Sequence, residues 1–321
     1  MVRTTVVIPN YNGIQYMDAC LASLRKGTTT PEILVVDNGS VDGSKELVKE
    51  RYPGVRLLEF EENTGFCRAV NAGIRASTTE FVLLLNNDTV AEPEMVERLE
   101  QALEGNRRVF SAQARMIQLH SPDKLDGAGD LYCALGWAFC RGKDGPVSAY
   151  EKPCRVFSAC AGAAIYRRAL FDEIGCFDEN HFAYLEDMDI GYRANIYGYH
   201  NKYVPDARVY HAGSAVSGSR HNDFKVKLSA RNNIYLIYKN MPALQILLNL
   251  PFLLAGWLIK LLFFSARGLC GAYLDGSLKG LRLCAGGKGR KHRVRFRFSR
   301  MKNYFWIQGQ LWVNIFRRLR G

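Results

Sequence analysis

The chain has 321 residues, 48% hydrophobic and 23% charged, a balance that excludes a disordered polymer and suffices for one large domain or two smaller ones. Its net charge of +12 is unevenly placed: residues 1–223 hold 24 Lys+Arg against 30 Asp+Glu, and residues 224–321 hold 19 against Asp275 alone. That polarity predicts an acidic, enzyme-like domain over 1–223 joined to a basic, apolar helical region over 224–321 that meets an anionic membrane surface or nucleic acid.

Short β-branched runs at residues 4–8, 32–37, 55–59 and 81–85 alternate with stretches of helical spacing at 14–24, 44–51, 66–75 and 94–103. The alternation predicts an α/β fold with a mostly parallel central sheet flanked by helices. Ligands bind beyond the carboxyl ends of such strands. The candidate residues are therefore Pro9-Asn10-Tyr11-Asn12, Asp37-Asn38-Gly39-Ser40, Asn63-Thr64-Gly65-Phe66 and Asn86-Asn87-Asp88. Residues 105–180 read as irregular loops with a few strands and glycine-rich turns such as Asp126-Gly127-Ala128-Gly129. A helix is expected from Tyr184 and a strand over 203–211. The nine cysteines include no Cys-x-x-Cys pair and lie among apolar neighbours, which predicts reduced thiols. No apolar run with a cleavage site precedes the first strand, so no signal peptide is expected.

Three segments carry possible chemistry. Asp37 follows a buried strand, where a carboxylate either accepts the imide N–H of a pyrimidine base or caps a strand–helix turn. Asn86-Asn87-Asp88 ends the most apolar strand, where a carboxylate either holds Mg²⁺ or Mn²⁺ against a diphosphate or forms an ordinary turn. His211 either completes such a metal site or, as a lone histidine after a strand, plays a structural part. Glu186, Asp187 and Asp189 form the densest acidic cluster; mutual repulsion raises carboxylate pKa values toward those of a general base, while a helix start also favours acids in its first turn. The P-loop, dinucleotide-binding, serine-hydrolase and zinc-protease signatures are all lacking.

In their order and spacing these segments resemble the family 2 inverting glycosyltransferases of the GT-A (nucleotide-diphospho-sugar transferase) fold, rhamnosyltransferase-like branch, over residues 4–232. The matching text includes Val7-Ile8-Pro9-Asn10-Tyr11-Asn12-Gly13, Val36-Asp37-Asn38-Gly39-Ser40-Val41-Asp42-Gly43-Ser44 and Asn63-Thr64-Gly65-Phe66 with Asn71-Ala72-Gly73. It continues through Leu85-Asn86-Asn87-Asp88-Thr89, Gly162-Ala163-Ala164, Gly175-Cys176-Phe177-Asp178-Glu179, the acidic cluster to Arg193, and Pro205-Asp206-Ala207 leading to His211. The resemblance implies that Pro9, Asn10, Asn12, Asp37, Asn63, Asn71, Asn86 and Asn87 line the nucleotide-sugar site, with Asp37 reading the base. It implies that Asp88 and His211 hold Mg²⁺ or Mn²⁺, Asn86 standing where the family has an acid. Asp187 would be the general base, with Glu186 its rival, and Arg193, Arg231 and Asn232 would hold diphosphate or acceptor. The implied reaction moves a sugar, with rhamnose favoured, from a nucleotide-diphospho-sugar donor to a glycan or polyprenyl-diphosphate-linked acceptor.

Residues 240–259 carry no charge, and Leu261 to Phe264 extend the apolar run past Lys260. That length suffices to span a bilayer, but Gln245, Asn249 and Pro251 interrupt it and both flanks are basic. The expected arrangement is a segment lying in or dipping into the cytoplasmic leaflet, peripheral or monotopic, with packing against the body as the alternative. The run Lys288 to Phe298 alternates basic and apolar residues and suits an anionic headgroup surface. Nucleic acid would have no use for the apolar run and is the weaker expectation.

Overall fold

The structure, a computed structural model, describes residues 2–213 and 221–319. The first half alternates strand and helix: β1 (Thr4–Asn10), α1 (Ile14–Arg25), β2 (Glu32–Asn38), α2 (Ser44–Arg51), β3 (Arg56–Phe60), α3 (Phe66–Ala76), β4 (Phe81–Leu85), β5 (Thr89–Ala91) and α4 (Met95–Leu103). There follow β6 (Val109–Gln118), β7 (Ser121–Gly127), β8 (Asp130–Cys133), β9 (Trp137–Cys140), β10 (Cys154–Val156), β11 (Ala163–Arg167), α5 (Leu170–Ile174), α6 (Glu186–Tyr197) and β12 (His200–His211). The C-terminal part is helical: α7 (Asp223–Asn240), α8 (Ala243–Ser265), α9 (Cys270–Ala285), α10 (Gly287–Lys291) and α11 (Met301–Leu319).

The main sheet runs β10-β12-β6-β11-β4-β1-β2-β3. Strands β4, β1, β2 and β3 are parallel, and β11 enters antiparallel between β4 and β6. Both faces of β1 and β4 are covered: Val6, Ile8, Leu83 and Leu85 pack with Met17, Leu21 and Leu99 on one side. Val7, Val82 and Leu84 pack with Val70, Ile74 and Ile190 on the other. This burial on both faces explains why these strands read as continuous apolar runs.

The irregular reading of residues 105–180 needs correction, because β6 is a ten-residue strand within the sheet. Its inward polar residues hid it: Ser111 donates to Asn201 (2.7 Å) and Gln113 accepts from the Cys160 N–H (2.7 Å), both fully buried. Such pairing offsets the penalty for burying the Ser111 hydroxyl and the Gln113 carbonyl oxygen.

Asn222 caps α7 by accepting from the Lys225 N–H at 2.9 Å. From there the C-terminal helices return to the body. Tyr304, Ile307 and Leu311 of α11 share one apolar cluster with Tyr132, Phe157, Met188 and Tyr192. Helix α8 is turned the opposite way from a core helix. Its Gln245 and Asn249 are buried, while Leu244, Leu247, Leu254, Leu258 and Leu262 are exposed. Gln245 accepts from Tyr192 (2.9 Å) and donates to Gln308 (3.1 Å), and Asn249 exchanges hydrogen bonds with Gln308 (2.8 and 2.9 Å). At 23 residues, with mean hydropathy 2.0, it is long and apolar enough to cross a bilayer.

Candidate active site

A cleft of about 1460 Å³ opens beyond the carboxyl ends of β1, β2 and β4. Pro9, Asn10, Asn38, Asn63 and Asn86-Asn87-Asp88 line one side, with His211 and Asp126 next to Asp88; Asp130, Glu186 and Asp187 line another; the ends of α8 and α11 close the outer side.

Strand β12 carries His211 to Asp88, with Nε2 3.1 Å from the Asp88 carboxylate. The other ring nitrogen, Nδ1, lies 2.8 Å from Asp126, which also pairs with Lys143. Burial works against a charged imidazole, but the hydrogen bonds to Asp126 and Asp88 outweigh it and lift His211 to about 9. Asp126 is held down to about 2: burial opposes this, but His211 and Lys143 prevail. The donor set fits a divalent cation. One carboxylate and one imidazole converge, and the imidazole is oriented by an outer carboxylate, as metal-ligating histidines commonly are. A cation there would take the place of the Nε2 proton. Asn86 supplies an amide 3.2 Å from the same nitrogen.

Across the cleft stands a group of acids at the start of α6. Asp187 is half-buried and is pushed up to about 6, by burial first, while hydrogen bonds from the Met188 N–H (2.6 Å) and from Cys160 and Ala161 hold it from rising further. Glu186 has one oxygen without a partner, and burial together with the Asp187 charge pushes it well above the carboxylate range. Burial and Asp187 do the same to Asp130. Asp187 has the most donors of the three and is therefore the acid that carries the negative charge near neutral pH.

Several expected ligand residues lie behind the wall. Asp37 is fully buried behind the cleft lining and accepts from Asn10 (2.8 Å) and the Ser40 N–H (2.9 Å). Asn10 also accepts from Asn87 at 2.7 Å, so the loops after β1, β2 and β4 are tied together. Asn38, not Asp37, is the cleft-facing residue of that pair, and it is bonded to Asn63 at 3.0 Å. Asn12 braces the next loop by accepting from the Val41 N–H (2.9 Å). Asn71 holds the chain before α6 through both backbone groups of Phe177 (2.8 and 3.0 Å).

The expected diphosphate or acceptor residues Arg193, Arg231 and Asn232 are also displaced from the cleft, since backbone carbonyls and carboxylates occupy their donors. Arg193 donates to the carbonyls of Ile174, Gly175 and Cys176 and pairs with Asp189 (2.8 Å). Asp189 and Asp178 share Lys239 of α7 (2.8 and 2.7 Å) in a buried ionic network. Burial opposes ionisation of Asp189, but Arg193 and Lys239 hold its pKa far below the usual range. Arg231 donates to the Asn180 carbonyl. The Asn232 amide reaches the carbonyls of His181 (2.9 Å), Ala183 (2.8 Å) and Tyr184 (2.8 Å). In that loop Phe182, Tyr184 and Leu185 have φ of 64°, 68° and 66°, a region unfavourable for side chains of this size. Asn232 therefore clamps a strained loop that delivers Glu186 and Asp187.

Asp126 and Asp130 were not singled out by sequence reasoning, which read their segment as a glycine-rich turn. Two acids four residues apart in a Gly-rich stretch were the available signal.

The model of "Glycosyl transferase family 2" matches residues 5–175. The N-acetylglucosaminyl-diphospho-decaprenol L-rhamnosyltransferase of Mycobacterium tuberculosis is 29% identical over 234 residues, which cover 64% of this chain and 75% of that protein. Among solved structures, GalNAc-T7 with UDP, GalNAc and Mn²⁺ superposes with a TM-score of 0.59 at 17% identity, over 74% of this chain and 48% of that one. A mannosyltransferase of Pyrobaculum calidifontis in complex with GDP-Man and Mn²⁺ gives 0.55 at 16% identity, over 87% of each chain. With this sheet order, this cleft and these matches, the chain belongs to glycosyl transferase family 2 and is a glycosyltransferase of the GT-A fold.

Proposed function

We propose that the enzyme transfers a sugar, rhamnose being favoured, from a nucleoside-diphosphate donor to a hydroxyl of a lipid-linked or polysaccharide acceptor, with inversion, in cell-surface glycan assembly. The observation that carries this reading is the single cleft joining Asp88 and His211 on one side to Asp187 on the other. The acceptor hydroxyl attacks the anomeric carbon as the bond to the diphosphate breaks, and its proton passes to Asp187. A carboxylate with a pKa of about 6 is ionised at neutral pH and still basic enough to take a proton in the transition state. Glu186, pushed well above the usual carboxylate range by burial and by Asp187, is assigned to shaping the site and not to the base. Asp88 and His211 would hold Mg²⁺ or Mn²⁺, which supplies positive charge against the departing diphosphate. The donor's rhamnose and the acceptor's diphosphate link rest on the mycobacterial relative, whose name states both kinds of chemistry.

The outward apolar face of α8 and the basic residues around it support a peripheral or monotopic seat on the cytoplasmic face of an anionic membrane. The inward stripe of Gln245 and Asn249 favours a helix lying along the body over one that spans alone.

The test is transfer by the full chain with Mn²⁺, offering dTDP-rhamnose, UDP-sugars and GDP-sugars in parallel. The expected result is turnover with dTDP-rhamnose, lost by 10²–10⁴-fold in Asp187→Asn with donor Kd within about twofold. In the wild type kcat/KM should rise with pH through about 6 as Asp187 loses its proton, then level off. An Asp187→Asn enzyme retaining a tenth of kcat overturns the assignment of the base.

A further inference from the structure

The outer wall of the cleft holds two cations that the reaction above does not use. Helix α8 brings Lys260 there and α11 brings Arg318. Lys260 Nζ stands 5.9 Å from the Trp137 ring centre and the Arg318 guanidinium 5.8 Å from that of Phe139. Trp137 and Phe139 are alternate residues of β9 and so share one face of the strand. Burial lowers the Lys260 pKa to about 8, and Arg318 pushes it the same way. Among the described residues no carboxylate pairs with either cation. Two positive groups on one wall of a cleft, neither paired with a carboxylate, form a receptor for an anion.

The placement is firm. Trp137 donates to the Gly256 carbonyl at 3.1 Å, and a Cβ at Gly256 would lie 2.0 Å from the Leu135 carbonyl oxygen. This contact seats α8 on the β8–β9 hairpin one turn before Lys260. Phe263 and Phe264 continue the wall, and the leucines exposed on α8 lie on the same helix. The donor diphosphate already has its place at the opposite wall, with Asp88 and His211.

We propose that Lys260 and Arg318 bind the diphosphate of a lipid-linked acceptor, whose prenyl chain runs from the cleft along α8 into the membrane. This rests on the sugar-transfer reading. It assigns the acceptor site to the C-terminal helices and the donor site to the strand ends.

The test is titration of the full chain with farnesyl-diphosphate-linked N-acetylglucosamine and with the uncharged octyl glycoside of the same sugar, which reads binding without turnover. Lys260→Ala and Arg318→Ala are each expected to weaken the diphosphate ligand at least tenfold and the uncharged glycoside less than twofold, with Lys260→Arg largely restoring binding. Equal losses for both ligands, or no loss, overturn the proposal. So does a matching loss of dTDP-rhamnose affinity, which would place the pair on the donor, and so does full competition by inorganic pyrophosphate at equal concentration, which would show a free-anion site. Absence of transfer in the activity assay bears on the sugar-transfer reading alone, because this titration needs no turnover.

Discussion

Asn232→Ala is the substitution that most directly tests how Asp187, the proposed general base, is held. The Asn232 amide distributes its two protons among the carbonyls of His181, Ala183 and Tyr184. Three non-glycine residues of that loop sit at positive φ, each costing about 1 kcal/mol or more. The three hydrogen bonds supply about 1 kcal/mol each. The two sums are close, so removing the amide is expected to let the loop relax toward ordinary backbone angles. Asp187 lies three residues beyond the clamp, and a shift of about 1 Å in a reacting group is worth on the order of 10²-fold in rate. Steady-state kinetics should therefore show kcat down by about 10–100-fold, and calorimetric titration should show donor Kd within about twofold, because the wall proposed to hold the nucleotide is built on β1, β2 and β4. An Asn232→Ala enzyme with kcat within twofold of wild type refutes the clamp. Donor affinity falling in step with kcat would point instead to direct contact with the donor.

Asp126→Asn should raise the Mn²⁺ concentration for half-maximal activity by about 10–100-fold, read by metal titration, because it loosens the orientation of His211. Lys239→Met leaves Asp178 and Asp189 with less positive charge and is expected to cost about 3–5 kcal/mol at pH 7.5 in denaturant unfolding. Both acids have lowered pKa values, against burial, because Lys239 and, for Asp189, Arg193 outweigh it. Their contribution is thus present above the unfolded carboxylate pKa of about 4 and lost as pH falls. The deficit of Lys239→Met should accordingly shrink toward pH 5, as an acid freed from Lys239 takes up a proton. Leu247→Glu with Leu254→Glu, both on the outer face of α8, should abolish salt-resistant sedimentation with anionic vesicles while leaving the melting temperature within a few degrees.

The first hundred residues were legible because strands buried on both faces must be apolar throughout, as Phe81 to Leu85 are. Strand β6 was not, since Ser111, Gln113 and Arg115 point into the interior, where Ser111 and Gln113 find partners only when distant segments arrive. Asp88 and His211 were expected together from their places at the ends of two strands, and the structure brings them within 3.1 Å. Asp126 depends on a hairpin that no local pattern announces. Arg193 was misread in the opposite direction: its spacing from Asp189 is that of an ion pair along a helix, and burial makes that pairing structural. The polar stripe of α8 was written in Gln245 and Asn249, one turn apart, although it first registered as an interruption of an apolar run.

That stripe has a kinetic consequence. A helix that presents its leucines outward confines the enzyme to a plane, if the membrane is its partner, and the two substrates then arrive by different geometries of diffusion. On the proposed function, a water-soluble donor would come from three dimensions. A lipid-linked acceptor would come laterally, at a concentration set by its density in the leaflet and not by the volume of the cell. The product leaves by the same lateral route, so consecutive enzymes on one leaflet can pass a growing glycan along without releasing it to solution.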